Sequence, residues 1–184
     1  ADDISSTIIN AYELAKSGMS AICAHTCLDI APGGVNDVLA ALLGLEDIEV
    51  VMTGEMPGLI RTGIKHFDSA ESLAGHTAKV LGAHTAYADG GKPINKIAVC
   101  GGSGGSHLTD AVQAGMDAFV TGEASHHEFL DAADAGLTLI AAGHFQTEFP
   151  VVPVLAAKLS KRFPEIQVAV FGGESRIKNA IPKR

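Results

Sequence analysis

From Ile94 onward, short apolar runs alternate with helix-period segments: Lys96–Cys100, then Ser106–Ala114, Ala118–Thr121, Ser125–Ala135, Leu137–Ala141, a helix near Phe145–Lys161, and Gln167–Phe171. The connections are too short for antiparallel returns across a sheet. They imply parallel strands joined by right-handed crossovers. The strands are apolar throughout rather than alternating, as expected of a sheet covered on both faces.

The first half is less regular. A helix is expected over Ser5–Ser17, with Ile8, Ile9, Tyr12 and Ala15 on one face and Gly18 as its stop. A strand Ser20–Ala24 should follow. After His25, Asp29 and the turn Pro32-Gly33-Gly34 comes a helix Val35–Leu43 with Val38, Leu39 and Leu42 inward, closed by Gly44. Further strands are expected over Asp47–Met52 and between Gly58 and Phe67, and Ser69 should cap a helix reaching Leu81. The expected class is α/β: mostly parallel strands alternating with helices, in two α/β lobes around a cleft. Residues 1–93 form the first lobe and connecting region, and residues 94–184 the βα-repeating lobe.

At 184 residues and 47% hydrophobic content, the chain can bury a full core. A net charge of -8 without a Lys/Arg run argues against nucleic acid and against an anionic membrane surface. No apolar run approaches the roughly 20 residues that cross a bilayer, and a cytoplasmic location is expected. Cys23, Cys27 and Cys100 are odd in number and flanked by apolar residues, which suits buried reduced thiols better than a disulfide framework.

Four strand ends carry chemically active residues: His25 and Asp29; the loop GGSGGS from Gly101 to Ser106; Glu123 with His126 and His127; and His144 with Glu148. In a parallel sheet these ends share one edge, where ligands gather. His144 and Glu148 are four apart, so on a helix they lie on one face, and an imidazole and a carboxylate can meet on one divalent cation. Each residue also has a plain structural role open to it. Asp29 can serve a turn, His25 a strand end, Glu123 a helix N-terminus, and one of His126 and His127 must face away from the other. GGSGGS reads either as a phosphate cradle or as a tight strand-to-helix turn, and it lacks the G-K-[ST] and G-x-G-x-x-G patterns. Histidine with carboxylates suits zinc, iron, manganese or magnesium alike. Such a metal polarises a substrate oxygen or activates water, so hydrolysis is the natural reaction class, with His25 or His127 available to move protons.

The runs AHTCLDIAPGGVNDVLAALLGL from Ala24, IAVCGGSGGSHLTDAVQAGMDAFVTGE from Ile97 and GHFQTE from Gly143 together resemble the Nif-three-like family, also called GTP cyclohydrolase I type 2 homologues. The resemblance implies two α/β lobes, a dinuclear metal site in the cleft and often a homohexamer. It implies Asp29, His144 and Glu148 as metal ligands, with His25, Glu123 and His127 handling protons, and one or two divalent metal ions per chain. A small-molecule substrate, with a nucleotide foremost, is expected, or else a metal-binding scaffold or regulatory role. Such family members carry an adjacent His-His pair upstream of the region where Ala1 begins, whereas His126-His127 belongs to another motif. The chain thus resembles the family's protein without its amino-terminal portion.

Overall fold

The computed structural model describes residues 6–52 and 54–172, with side chains from Asn10 onward. In chain order the elements are α1 (Ser6–Ser17), α2 (Thr26–Ile30), α3 (Val35–Leu43), β1 (Glu46–Val50), β2 (Arg61–Phe67), α4 (Ala70–Leu81), β3 (Ala86–Ala88) and β4 (Ile94–Cys100). A single 3-10 turn, Gly105–His107, then leads into α5 (Leu108–Gln113), β5 (Ala118–Thr121), α6 (His126–Asp134), β6 (Thr138–Ala141), α7 (His144–Glu148) and α8 (Val151–Arg162).

The six strands form one sheet in the order β1-β2-β4-β5-β6-β3. The α/β class is as expected, but "mostly parallel" needs correction. Only β4-β5 and β5-β6 pair in parallel, while β1-β2, β2-β4 and β3-β6 are antiparallel. The βα repeat supplies crossovers for the three central strands alone. The outer strands come from the first half of the chain, and both antiparallel joins to the centre, β2 with β4 and β3 with β6, tie the segments on either side of residue 94 into one sheet.

Two expected strands are absent. Residues 167–171 are irregular, because the outer edge of β6, where a further parallel strand would add, is occupied by β3. Residues 20–24 are exposed and find no ladder partner among the described residues. That exposure also corrects the cysteine reading: Cys100 is buried, whereas Cys23 and Cys27 are exposed, and all three are free.

Alternate residues of the central strands enter two cores. Ile97, Val99, Ala118, Val120 and Ile140 pack on one face beneath Leu39, Leu43 and Leu73 of α3 and α4. Ala98, Cys100, Phe119 and Leu139 pack on the other beneath Leu108, Ala111 and Ala132 of α5 and α6. The two-residue period of a strand therefore feeds both layers, as a sheet buried on both faces requires. Helix α3 is rotated from the expected face: Val35, Asn36, Leu39, Ala40 and Leu43 are buried, and Leu42 is exposed. Ser69 caps α4 through a reciprocal bond with Ser72.

Candidate metal centre

The three parallel strands end side by side, and their ends are interlocked by backbone hydrogen bonds. Glu123 N–H donates to Gly102 O at 2.9 Å, Gly105 N–H to Glu123 O at 3.2 Å, and Gly143 N–H to Gly122 O at 2.8 Å. This close approach requires glycine. A Cβ on Gly122 would lie 2.6 Å from Gly102 O and 2.9 Å from His144 Cα. Gly102 adopts φ +66°, and a Cβ there would collide with Glu148 Oε1.

The GGSGGS loop turns its N–H groups inward. Gly101 N–H donates to Asn36 Oδ1 at 2.7 Å, Gly102 N–H to Thr147 Oγ1 at 3.0 Å, and Gly104 N–H to Thr121 Oγ1 at 3.0 Å. With these donors spent, and Glu148 and Glu128 against Gly102 and Gly105, the loop is a tight turn rather than a phosphate cradle.

His144 opens α7 directly beyond β6, and Glu148 lies one turn on. As the four-residue spacing predicts, the two meet, with Nε2 and Oε1 3.2 Å apart. The other ring nitrogen, Nδ1, lies 3.2 Å from Glu123 Oε2. The helix expected over Phe145–Lys161 breaks into α7 and α8 at Phe149-Pro150, because proline lacks the N–H that would continue the ladder.

Asp29 reaches the same cleft from α2 rather than from a strand end. Asn36, 1% exposed, holds that segment: its Nδ2 donates to Leu59 O at 2.8 Å and to Asp29 O at 3.4 Å, while its Oδ1 receives Gly101 N–H. Arg61, also 1% exposed, adds a second tie through Ile30 O at 3.0 Å and an ion pair with Asp37. Neither residue carries a motif signal. Their role exists only once α2, α3 and β2 are packed together.

Two cavities flank the His144–Glu148 pair. One, of about 280 Å³, is lined by His25, Asp29 and Glu148 and by the apolar side chains of Leu28, Val35, Phe145, Phe149, Val151 and Val152. The other, of about 680 Å³, is lined by His84, Glu123, His144, Phe145, Gln146 and Glu148, among others. Phe145 and Phe149 stack with centroids 4.8 Å apart and form the wall of the smaller cavity. His84 was missed in the sequence because the antiparallel pairing of β3 with β6 brings it to the site. His127 lies apart: its ring bonds Ser125 Oγ at 3.0 Å, and it lines neither cavity. His126 is exposed at the start of α6.

The electrostatics are those of an acidic cleft. Burial pushes the Asp29 carboxyl above its ordinary value, against the opposing pull of His25 and His144. The Ser103 hydroxyl and His144 hold Glu123 below the usual carboxylate range. Partial burial lowers the His144 pKa, but the Glu123 and Glu148 carboxylates outweigh it and leave the imidazole raised. Burial, with Asp29 and Glu148 nearby, pushes the Cys100 thiol up to about 12, so it is no nucleophile.

The residues fit a divalent cation by chemistry: Asp29, Glu123 and Glu148 surround two histidines, and no Lys or Arg among the described residues lines either cavity. Among the described residues no three donors converge on one point; His144 is instead engaged by carboxylates at both nitrogens.

Residues 2–176 match the family model Duf34/NIF3 (NGG1p interacting factor 3). The chain is 34% identical over 152 residues to the GTP cyclohydrolase 1 type 2 homolog of Pseudomonas aeruginosa, covering 82% of this chain and 60% of that protein. It is 35% identical over 158 residues to NGG1-interacting factor 3 of Saccharomyces cerevisiae, covering 75% and 54%. The chain therefore spans about 60% or less of the length of these relatives. Staphylococcus aureus protein SA1388 superposes with a TM-score of 0.82 at 23% identity, over 96% of this chain and 74% of that one, which shows the shared fold. Protein ybgI superposes with a TM-score of 0.74 at 30% identity, over 88% and 65%. The chain belongs to the Duf34/NIF3 family.

Proposed function

We propose that this chain forms the site of a metal-dependent hydrolase acting on a small molecule, with a nucleotide as the foremost candidate. The observation that carries the reading is the unneutralised acidic cleft, in which His144, Glu148 and Asp29 flank one cavity system with no basic side chain lining it among the described residues. His144, Glu148 and Asp29 would hold one or two divalent ions, whether zinc, iron, manganese or magnesium. When bound, the ion supplies Lewis acidity to a substrate oxygen and to water.

The chain's own residues do the rest. Glu123 accepts the Nδ1 proton side of His144 and orients the ring. His25, at the rim of the smaller cavity, moves protons to and from the substrate, with His127 held in reserve outside it. Phe145 and Phe149 exclude water and offer a flat apolar wall to a planar ring. The name GTP cyclohydrolase 1 type 2 homolog, carried by relatives, points the first substrate screen at GTP. We also propose a cytoplasmic protein that self-associates, with a hexamer as the ring size implied by the family resemblance. Apolar side chains left exposed on the β1–β2 margin, Ile48, Val50 and Ile64, support the self-association.

A second reading is a metal-binding scaffold or regulatory interaction protein. It is favoured by the absence of a converged three-donor set among the described residues and by the relative named NGG1-interacting factor 3. Elemental mass spectrometry of the purified protein, beside an Asp29→Ala/His144→Ala double variant, tests the metal. About one or two equivalents per chain are expected, lost in the variant. Nucleotide hydrolysis by the loaded protein then separates the two readings. No bound metal after reconstitution removes the hydrolase.

A further inference from the structure

The proposed site contains one polar side chain that the reading above leaves without a role. Ser103 stands at the tip of the glycine loop between β4 and the 3-10 turn. Its hydroxyl donates to Glu123 Oε2 and lies 3.5 Å from His144 Nδ1. The same Glu123 oxygen faces that ring nitrogen at 3.2 Å. Hydroxyl, carboxylate and imidazole therefore converge at one corner of the cleft.

The loop that carries Ser103 is fixed. Gly102 N–H and Gly104 N–H are bonded to the Thr147 and Thr121 hydroxyls on either side of it. The backbone of Glu123 is bound in both directions, donating to Gly102 O and accepting from Gly105 N–H. The hydroxyl and the carboxylate are thus carried on one hydrogen-bonded frame.

An ionised carboxylate only accepts hydrogen bonds, so the ring nitrogen facing Glu123 must carry the proton in the neutral imidazole. The lone pair then resides on Nε2, 3.2 Å from Glu148 Oε1. We infer that Ser103 is a positioning residue: its hydroxyl holds the Glu123 carboxylate on His144 Nδ1, fixing the Nδ1–H tautomer and turning the Nε2 lone pair toward Glu148 and a cation. The inference rests on the proposed metal reading for its purpose, but the tautomer can be measured without metal. Ser103 is exposed, so removing its hydroxyl leaves the core intact.

The test uses nitrogen-15 NMR of labelled histidine in the metal-free protein, at a pH where His144 is neutral, for the wild type, Ser103→Ala and Ser103→Thr. Zinc affinity is measured in parallel by competition with a chelator. The wild type is expected mainly as the Nδ1–H tautomer. Ser103→Ala should shift the population toward Nε2–H and weaken zinc binding by about tenfold, the lower end of effects seen when an outer-shell partner is lost. Ser103→Thr, which restores a hydroxyl, should return both toward wild type. An unchanged tautomer distribution in Ser103→Ala overturns the inference. If the wild type binds no zinc, the metal reading fails, and the tautomer measurement alone decides the role of Ser103.

Discussion

Asp29 and the Glu123–His144 pair carry opposite signs in the energetics of the folded chain. The Asp29 pKa is raised by burial, so its contribution to stability is present below the unfolded value near 3.8 and lost as pH rises through the folded value. At neutral pH the charge is a cost retained for the site. Asp29→Asn should therefore raise the melting temperature of the metal-free protein at pH 7, have no such benefit below pH about 3.5, and weaken metal binding. A calorimetric scan at the two pH values checks it. The pair behaves differently. Glu123, with its pKa lowered, contributes above about 4.5 and loses that contribution as pH falls; His144, with its pKa raised, contributes below about 6.5 and loses it as pH rises. Glu123→Gln should thus destabilise most near pH ~5.5 and least at pH ~8. A denaturation series across pH showing a flat difference would contradict this. Of the site residues, His144, Glu148, Glu123, Asp29 and His25 were visible in the sequence because each stands near an element boundary. His84, Asn36 and Ser103 were not, since an isolated serine, asparagine or histidine has no signature until its neighbours are placed.

The elements were legible where local signals agree. Val35–Leu43 and Ala118–Thr121 lie at the expected positions, the former closed by Gly44 at φ +72°. They failed where a partner decides: the apolar run 167–171 has strand composition but no free edge to join. In α4 the Thr77 hydroxyl is buried without a hydrogen-bond partner, although periodicity alone marks it as a core position. Replacing an unsatisfied hydroxyl by a methyl of the same shape should stabilise by about 1 kcal/mol, so Thr77→Val is expected to raise the melting temperature by about 2–4 °C. The strand-to-helix turn after β4 gives a contrasting expectation. Gly102→Ala combines a positive φ with a methyl group directed at the Glu148 carboxylate. It should cost about 1–2 kcal/mol and displace Glu148, weakening metal binding more than the loss of stability alone explains. Chemical denaturation and metal titration on the same variant separate the two effects.

At the scale of the whole molecule, the site depends on how the first half of the chain docks against the ends of the parallel strands. Arg61 is central to that docking, with its guanidinium joined to Asp37, Gly58 O and Ile30 O. Asp37→Ala leaves a buried cation without its counter-charge and should destabilise by about 3 kcal/mol, read from urea unfolding; a loss under 1 kcal/mol would show that water replaces the carboxylate. By itself the sequence determined the α/β class, the βα repeat from Ile94, and the placing of His144 with Glu148 on one helical face. These follow from periods of two and 3.6 residues and from short connections, which are local properties. Only the tertiary structure decided that the sheet is mixed, that β3 closes the edge of β6, and that Asp29 arrives on a helix pinned by Asn36 and Arg61. Strand order and buried polar ties depend on contacts between residues far apart in the chain, and periodicity within one segment carries no information about which distant segment it will meet.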